Sequence, residues 1–253
     1  MKRIRDKGRD GFYKGETAKL IVAEMKRGGG LISLKDLEGY GSVIRDPIVG
    51  HYRGYEIISM GPSSSGGVAL VQLLNILEGY NLSDYGWNSS KEVHRLTEAM
   101  RRVYADRAEF LGDPDFVKVP VAWLTSKEYA AQRRATIDTT RATPSSSIAH
   151  GDAPPQEKDH TTHYSVVDKY GNCVSVTTTL NDSFGSKVVV TGGGFLLNNE
   201  MDDFSGKPGA PNVYGLIGNS ANEIAPNKRM LSSMTPTIVL KDGKPFLIIG
   251  TPG

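Results

Sequence analysis

The junction at residues 160–164, His-Thr-Thr-His-Tyr, places threonine hydroxyls where a polar stretch meets a strand-like pattern. Residues 139–160 are rich in Pro and Ser and poor in apolar side chains, so we expect a flexible tail there. If the bond between His160 and Thr161 is cut, the new α-amine can take the proton of the Thr161 hydroxyl. Such an amine has a pKa of about 7.7–8.0, which suits a base near neutral pH. The junction is therefore a candidate N-terminal nucleophile, although by spacing alone an ordinary strand threonine is the commoner explanation.

The composition excludes several other classes of function. The 253 residues include 30 Lys and Arg against 28 Asp and Glu, mixed along the chain, which gives no sign of a nucleic-acid groove or polybasic membrane patch. A single cysteine, Cys173, excludes an internal disulfide and a multi-cysteine metal site. The histidines lack metal-ligand spacing. The serine run at 63–65 lacks a P-loop lysine and a nucleophile elbow, so we interpret it as structural. We expect no metal or cofactor.

The elements that must position the threonine alternate between helix and strand. Hydrophobic periodicity predicts helices at residues 17–26, 68–77 and 91–111. In the last of these, the predicted buried stripe consists of Val93, Leu96, Met100, Val103 and Leu111. Predicted strands lie at residues 55–60, 164–168, 173–180, 192–197, 237–240 and 245–249. This pattern indicates an α+β protein whose last third is mostly antiparallel sheet.

Residues 161–168 have the sequence Thr-Thr-His-Tyr-Ser-Val-Val-Asp. This motif resembles the start of the small subunit of one family, the γ-glutamyltransferases (γ-glutamyl transpeptidases). Residues 198–204 and 231–237 are similar to later small-subunit motifs, in the same order. Upstream, Gly-Phe-Tyr-Lys-Gly at 11–15, the Gly-Pro-Ser-Ser-Ser-Gly-Gly loop at 61–67 and Tyr-Ala-Asp-Arg at 104–107 are similar to the large subunit.

The resemblance implies an N-terminal-nucleophile hydrolase fold, an αββα sandwich. Residues 1–160 would be the C-terminal part of the large-subunit segment, ending in the flexible tail at 139–160. Residues 161–253 would be the N-terminal part of the small-subunit segment, and together the two segments would form one αββα domain. The family's carboxylate-binding arginine lies before the stretch that matches, and the match ends at the first oxyanion glycine. We therefore expect an internal fragment, incomplete at both ends.

The resemblance also assigns roles residue by residue. Thr161 would be the nucleophile, released by self-cleavage between His160 and Thr161, and Thr179 would hydrogen-bond it. Gly253 would be the first of two oxyanion-hole glycines. The substrate α-amino group would be held by Asn181, Glu200 and Asp203, whose oxygens suit an ammonium ion. Ser232 and Ser233 would contact the α-carboxylate, and residues 208–219, with Tyr214 near their centre, would form a lid.

The implied activity is transfer of the γ-glutamyl group of glutathione-like donors to water or to amino acids and peptides, through a threonine ester. The alternatives are a catalytically inert fragment, or a related acylase or poly-γ-glutamate transpeptidase. The expected partners are these small molecules, with no nucleic acid, and two subunits from one self-cleaved precursor. The family implies a periplasmic or extracellular enzyme, although this sequence has no signal peptide.

Overall fold

The computed structural model describes residues 1–148, 161–207, 210 and 218–251. They belong to two compact units, the first formed by Met1–Arg45 with Leu180–Asn199 and the second by Asp46–Thr179 with Glu200–Gly253. Helices and antiparallel sheets occur together, which confirms the predicted α+β class. The finer prediction of an αββα sandwich stays a prediction. Within the described ranges, no helix combines the length and the apolar character needed to cross a membrane.

The first unit is built from four short helices around a small core. The helices are α1 (Lys2–Lys7), α2 (Asp10–Tyr13), α3 (Gly15–Gly28) and α4 (Leu34–Gly39). The predicted helix at 17–26 is confirmed as α3, which ends where Gly29 takes a left-handed φ of 75°. Ser33 and Asp36 form a reciprocal capping box that starts α4. The core of this unit consists of Ala18, Ile21, Leu37 and Val190.

The predicted strand at residues 192–197 is wrong. Gly192 and Gly194 have φ values of 75° and 71°, and the Gly193 N–H donates to the Val190 carbonyl at 2.9 Å. The chain therefore reverses, because glycine adopts positive φ at no steric cost. The apolar residues that suggested a strand, such as Phe195, instead pack against the core of this unit.

The second unit contains two antiparallel sheets. Its strands in chain order are β1 (Ile48–Tyr52), β2 (Tyr55–Ser59), β3 (Thr161–Val167), β4 (Cys173–Thr179), β5 (Thr237–Lys241) and β6 (Lys244–Ile249). One sheet has the order β1-β2-β5-β6, and the other is the β3–β4 hairpin. Sequence analysis did not predict β1, which contains Gly50. A Cβ on Gly50 would lie 2.6 Å from the methyl groups of Val71, so the glycine permits close helix–sheet packing.

The described residues of the second unit also form four α-helices: α5 (Gly66–Leu77), α6 (Ser90–Phe110), α7 (Val121–Leu124) and α8 (Lys127–Ala135). The predicted helices at 68–77 and 91–111 are thus confirmed. Helix α5 contributes Val68 and Val71 to the core that also contains Ile57 and Leu231. Helix α6 begins at a side-chain cap in which the Ser89 hydroxyl accepts from the Glu92 N–H.

The predicted buried stripe of α6 is only partly right. Val103 and Leu111 are buried, but Val93, Leu96 and Met100 are 45%, 39% and 40% exposed. The side that is buried instead combines small or apolar residues with charged ones: Arg95, Glu98, Ala99, Arg102, Val103, Ala105, Asp106 and Arg107. Hydrophobic periodicity missed this side because ion pairs and hydrogen bonds satisfy its charges.

A buried ionic cluster on α6 attaches the first part of the predicted tail. The Glu98 carboxylate accepts from Arg102 at 2.8 Å and from the Thr143 hydroxyl at 2.5 Å. Arg101 donates to the Thr143 carbonyl at 2.7 Å and to the Ser145 hydroxyl at 2.9 Å. Burial raises the pKa of Glu98, but these hydrogen bonds outweigh it and leave that pKa below its usual value. Residues 149–160 lie outside the described residues, and the flexible tail stays a prediction.

Candidate active site

The β3–β4 hairpin places Thr161 and Thr179 opposite each other. The two residues are direct partners at the end of a seven-residue register that continues to Val167 and Cys173. The ladder therefore brings together the predicted nucleophile and the threonine predicted to hydrogen-bond it. His160, on the other side of the predicted cleavage bond, lies outside the described residues.

The polar face of the same hairpin contacts the end of β6. His163 hydrogen-bonds the hydroxyl groups of Thr177 at 2.9 Å and Ser165 at 3.1 Å. A Cβ on Gly250 would lie 2.3 Å from the His163 ring, so only glycine permits this approach. The segment after β6 therefore starts beside the hairpin that begins with Thr161. Gly253, the predicted oxyanion glycine, lies outside the described residues.

A single turn of 3₁₀ helix, Glu200–Asp203, pairs two predicted substrate-binding carboxylates. A 3₁₀ helix has three residues per turn, so side chains at positions i and i+3 eclipse one another. Burial, together with the nearby negative charge of Asp203, raises the pKa of Glu200 to about 7. Such a pair favours a cation, because a nearby positive charge stabilises the ionised form of both carboxyl groups.

This pair makes a pH-dependent prediction about stability. The pKa of Glu200 is about 7 in the folded chain against 4.5 as its unperturbed value. Between those values the folded state binds more protons than the unfolded state, so the free energy of unfolding falls as the pH rises. We expect Glu200→Gln to stabilise the complete gene product at pH 8 by at most about 3 kcal/mol, discounted for partial exposure, and to have little effect at pH 4.

Thermal unfolding of the uncut Thr161→Ala background, with and without Glu200→Gln, measures this effect at both pH values. Glu223→Gln is the matched control, because Glu223 is an exposed glutamate of the same unit. A Glu200→Gln protein whose stabilisation were the same at pH 4 and pH 8 would contradict the prediction.

Asn222 connects the acidic turn to the predicted carboxylate site, and sequence reasoning missed it. Its side-chain amide donates to the Asp203 carbonyl at 2.7 Å, and its side-chain oxygen accepts from the Leu231 N–H at 2.9 Å. Its own carbonyl accepts from the Ser205 N–H at 2.9 Å. One buried asparagine thus fixes the position of Asp203 relative to the segment that carries Ser232.

Ser232 and Ser233 lie against the serine-rich loop that we interpreted as structural. Ser64 and Ser232 form a parallel β-bridge. The Arg107 guanidinium donates to the Ser65 hydroxyl at 3.0 Å and to the Ser233 hydroxyl at 2.9 Å. Arg107 was not predicted as a site residue, although it belongs to the Tyr-Ala-Asp-Arg motif at 104–107.

Asn181 and the predicted lid do not belong to the hydrogen-bonded groups described above. Asn181 belongs to the first unit, where it has a φ of 74° and donates to the Asn199 carbonyl at 3.2 Å. Tyr214 and most of the predicted lid at 208–219 lie outside the described residues. Within the described part of the chain, no group of three or more His, Cys, Asp or Glu side chains is placed to hold a metal ion.

Comparisons with known proteins show the family to which this chain is related. Residues 1–253 match the family described as Gamma-glutamyltranspeptidase. The glutathione hydrolase proenzyme of Escherichia coli (strain K12) is 54% identical over 253 residues, which are 100% of this chain and 44% of that relative. A crystal structure of Helicobacter pylori gamma-glutamyltranspeptidase is 49% identical with a TM-score of 0.57, covering 58% of this chain and 42% of that one.

A crystal structure of cephalosporin acylase from Bacillus halodurans is also similar. It is 28% identical with a TM-score of 0.76, and the match covers 96% of this chain and 41% of that one. The chain thus spans less than half the length of these relatives. The family match extends over every residue of the sequence. This chain belongs to the gamma-glutamyltranspeptidase family.

Proposed function

We propose that this chain carries the catalytic centre of a γ-glutamyltransferase that acts on glutathione-like donors. The observation that carries the proposal is that Glu200 and Asp203 share one 3₁₀ turn and that the charge of Asp203 raises the pKa of Glu200, an arrangement that suits the α-ammonium of a γ-glutamyl group. Ser232 and Ser233 would contact the α-carboxylate of the same group. Asn222 supports this arrangement, since it hydrogen-bonds the segments that carry Asp203 and Leu231.

The proposed reaction starts at Thr161. Its hydroxyl oxygen attacks the γ-carbonyl of the donor while its α-amine takes the hydroxyl proton. The resulting ammonium then returns the proton to the departing amine, which leaves a γ-glutamyl ester on Thr161. Water, or the amine of an amino acid or peptide, then attacks the ester and gives up a proton to the same α-amine. The ester bond breaks, and the protonated α-amine returns the proton to the departing Thr161 oxygen, which restores the hydroxyl. Thr179, opposite Thr161 in the ladder, would hold the nucleophile in place.

This chemistry requires an earlier self-cleavage. The bond between His160 and Thr161 must break to free the α-amine, and residues 1–160 and 161–253 would then belong to two subunits. The relative from E. coli bears the name proenzyme, which supports such processing. The αββα sandwich of N-terminal-nucleophile hydrolases and a location outside the cytoplasm belong to the same proposal.

The second candidate is an acylase, favoured by the similarity to the B. halodurans cephalosporin acylase. The two candidates differ in what the acyl group must carry. A γ-glutamyl group has an α-ammonium, whereas a glutaryl group has the same carbon chain and carboxylate without it. The Glu200–Asp203 pair favours the first, because an ammonium group beside two carboxyl groups stabilises their ionised forms, whereas the methylene group of a glutaryl donor does not.

The test is to compare γ-glutamyl and glutaryl 4-nitroanilides as donors for the complete gene product. We expect Thr161-dependent release of nitroaniline, with kcat/KM at least about 100-fold higher for the γ-glutamyl compound, since a lost charged partner typically costs several kcal/mol. Equal use or preference for the glutaryl compound would assign the acylase function. No release from either compound would support an inert protein.

A further inference from the structure

The serine-rich loop before α5 makes a dense set of hydrogen bonds to the segment that carries Ser232. The Ser232 carbonyl accepts from the Ser65 N–H at 2.8 Å and from the Ser65 hydroxyl at 2.9 Å. The Ser64 hydroxyl lies 3.2 Å from the same carbonyl and donates to the Met234 carbonyl at 2.7 Å. In return, the Ser232 N–H donates to the Ser63 carbonyl at 3.0 Å.

Both hydroxyl groups are removed from solvent, since Ser64 and Ser65 are 0% and 2% exposed. The start of α5 is equally tight, because a Cβ on Gly66 would lie 2.5 Å from the Met234 carbonyl oxygen. The 232–234 segment therefore has little freedom to shift along the loop. A buried polar group that loses its partner costs more than an exposed one, so these contacts fix one arrangement of the segment.

The hydrogen bonds around Arg107 have a defined direction. A guanidinium has only donors, so the Ser65 and Ser233 hydroxyl oxygens both act as acceptors toward Arg107. Ser65 then directs its own proton to the Ser232 carbonyl. Because Arg107 donates to both hydroxyl groups, it links the serine-rich loop to the Ser232–Ser233 pair.

We propose that Ser64 and Ser65 are positioning residues for the substrate α-carboxylate. They do not touch the substrate. Ser65 connects the Arg107 guanidinium to the Ser232 carbonyl, and Ser64 fixes the two carbonyls of Ser232 and Met234, so that the Ser232–Ser233 pair keeps the register in which it meets the carboxylate. This inference rests on the proposed function, since it assumes that Ser232 and Ser233 bind that group.

Three consecutive serines provide a matched set of variants. Ser64→Ala and Ser65→Ala each remove a buried hydroxyl that contacts the 232–234 segment. Ser63→Ala is the control, because Ser63 joins the contact through its main-chain carbonyl, which the variant retains. Self-cleavage of each complete gene product reports whether the variant folds.

The readout is kinetic, with two donors that differ in the group under test. γ-Glutamyl 4-nitroanilide carries both the α-ammonium and the α-carboxylate, whereas 4-aminobutyryl 4-nitroanilide lacks the carboxylate. If the second compound is turned over too slowly, its inhibition constant against the first replaces KM. We expect Ser65→Ala to raise KM for the γ-glutamyl donor about 5- to 30-fold, the effect of leaving a buried partner unsatisfied.

A smaller rise in the same direction is expected for Ser64→Ala, whereas Ser63→Ala should resemble the wild type. For the 4-aminobutyryl compound, all three variants should stay within about twofold of the wild type. Equal losses on both compounds, or a fall in kcat alone, would overturn the proposal. If Ser65→Ala does not fold, Ser64→Ala and the hydroxyl-retaining Ser65→Thr decide by the same comparison. A wild type without Thr161-dependent turnover would instead refute the proposed function itself.

Discussion

Thr161→Ala is expected to leave the complete gene product as one uncut chain without transferase activity. The substitution removes the hydroxyl that, in the proposed mechanism, attacks both the preceding carbonyl during self-cleavage and the donor carbonyl during turnover. Loss of a catalytic nucleophile costs about 10⁶-fold in the rate constant of enzymes that use one. Intact-mass analysis should therefore show two polypeptides for the wild type and one for the variant.

The neighbouring threonine supplies the control for this experiment. Thr162 pairs with Thr178 in the same ladder, one position away from the Thr161–Thr179 pair. Thr162→Ala should still be cut. Thr161→Ser should also be cut, because it retains a hydroxyl, but more slowly, because without the β-methyl group that hydroxyl is less restricted about χ1. Scission of Thr161→Ala at the bond between residues 160 and 161 would rule out Thr161 as the nucleophile.

The second large effect is expected from Asp203→Ala, which should separate turnover from self-cleavage. If Asp203 binds the donor ammonium as proposed, removal of its carboxylate leaves that ammonium without one of its ionic partners. Breaking such a pair costs about 3–5 kcal/mol, which corresponds to a fall in kcat/KM of about 100- to 5,000-fold. Self-cleavage involves no substrate ammonium, so the two polypeptides should still form.

Asp202→Ala is the control for Asp203→Ala, because Asp202 lies in the same 3₁₀ turn and was not assigned to the substrate. It should keep most of the γ-glutamyl transfer activity. The measurement is nitroaniline release together with the extent of cleavage on a denaturing gel. Parallel loss of cleavage and turnover in Asp203→Ala would indicate that the residue supports the fold rather than the ammonium.

Sequence reasoning succeeded where the determinants of structure are local. The helix predicted at 68–77 and the strands predicted at 164–168 and 173–180 depend on residues a few positions apart, and these elements are present. The prediction of a strand at 192–197 was wrong because its glycines adopt positive φ values and form a turn, although the apolar residues of the segment are typical of a strand. The predicted buried stripe of α6 was only partly right, because the buried side contains charged residues that form ion pairs and that apolar spacing does not reveal.

The candidate site shows the same division. The i, i+3 spacing of Glu200 and Asp203 is visible in the sequence, and the 3₁₀ helix realises it. The contact of Arg107 with Ser233 joins residues 126 positions apart, and no local pattern announces it. Asn222 was missed for a related reason, since a buried asparagine that satisfies two main-chain groups resembles any loop asparagine in the sequence.

The strand order β1-β2-β5-β6 has a consequence for the processed protein. β2 precedes the proposed cleavage bond and β5 follows it, and the two strands pair from Glu56 opposite Leu240 to Ser59 opposite Thr237. Once the bond is cut, this ladder joins two separate polypeptides. Refolding then requires a bimolecular encounter, so the midpoint of thermal unfolding should rise with protein concentration after cleavage and be independent of concentration before it.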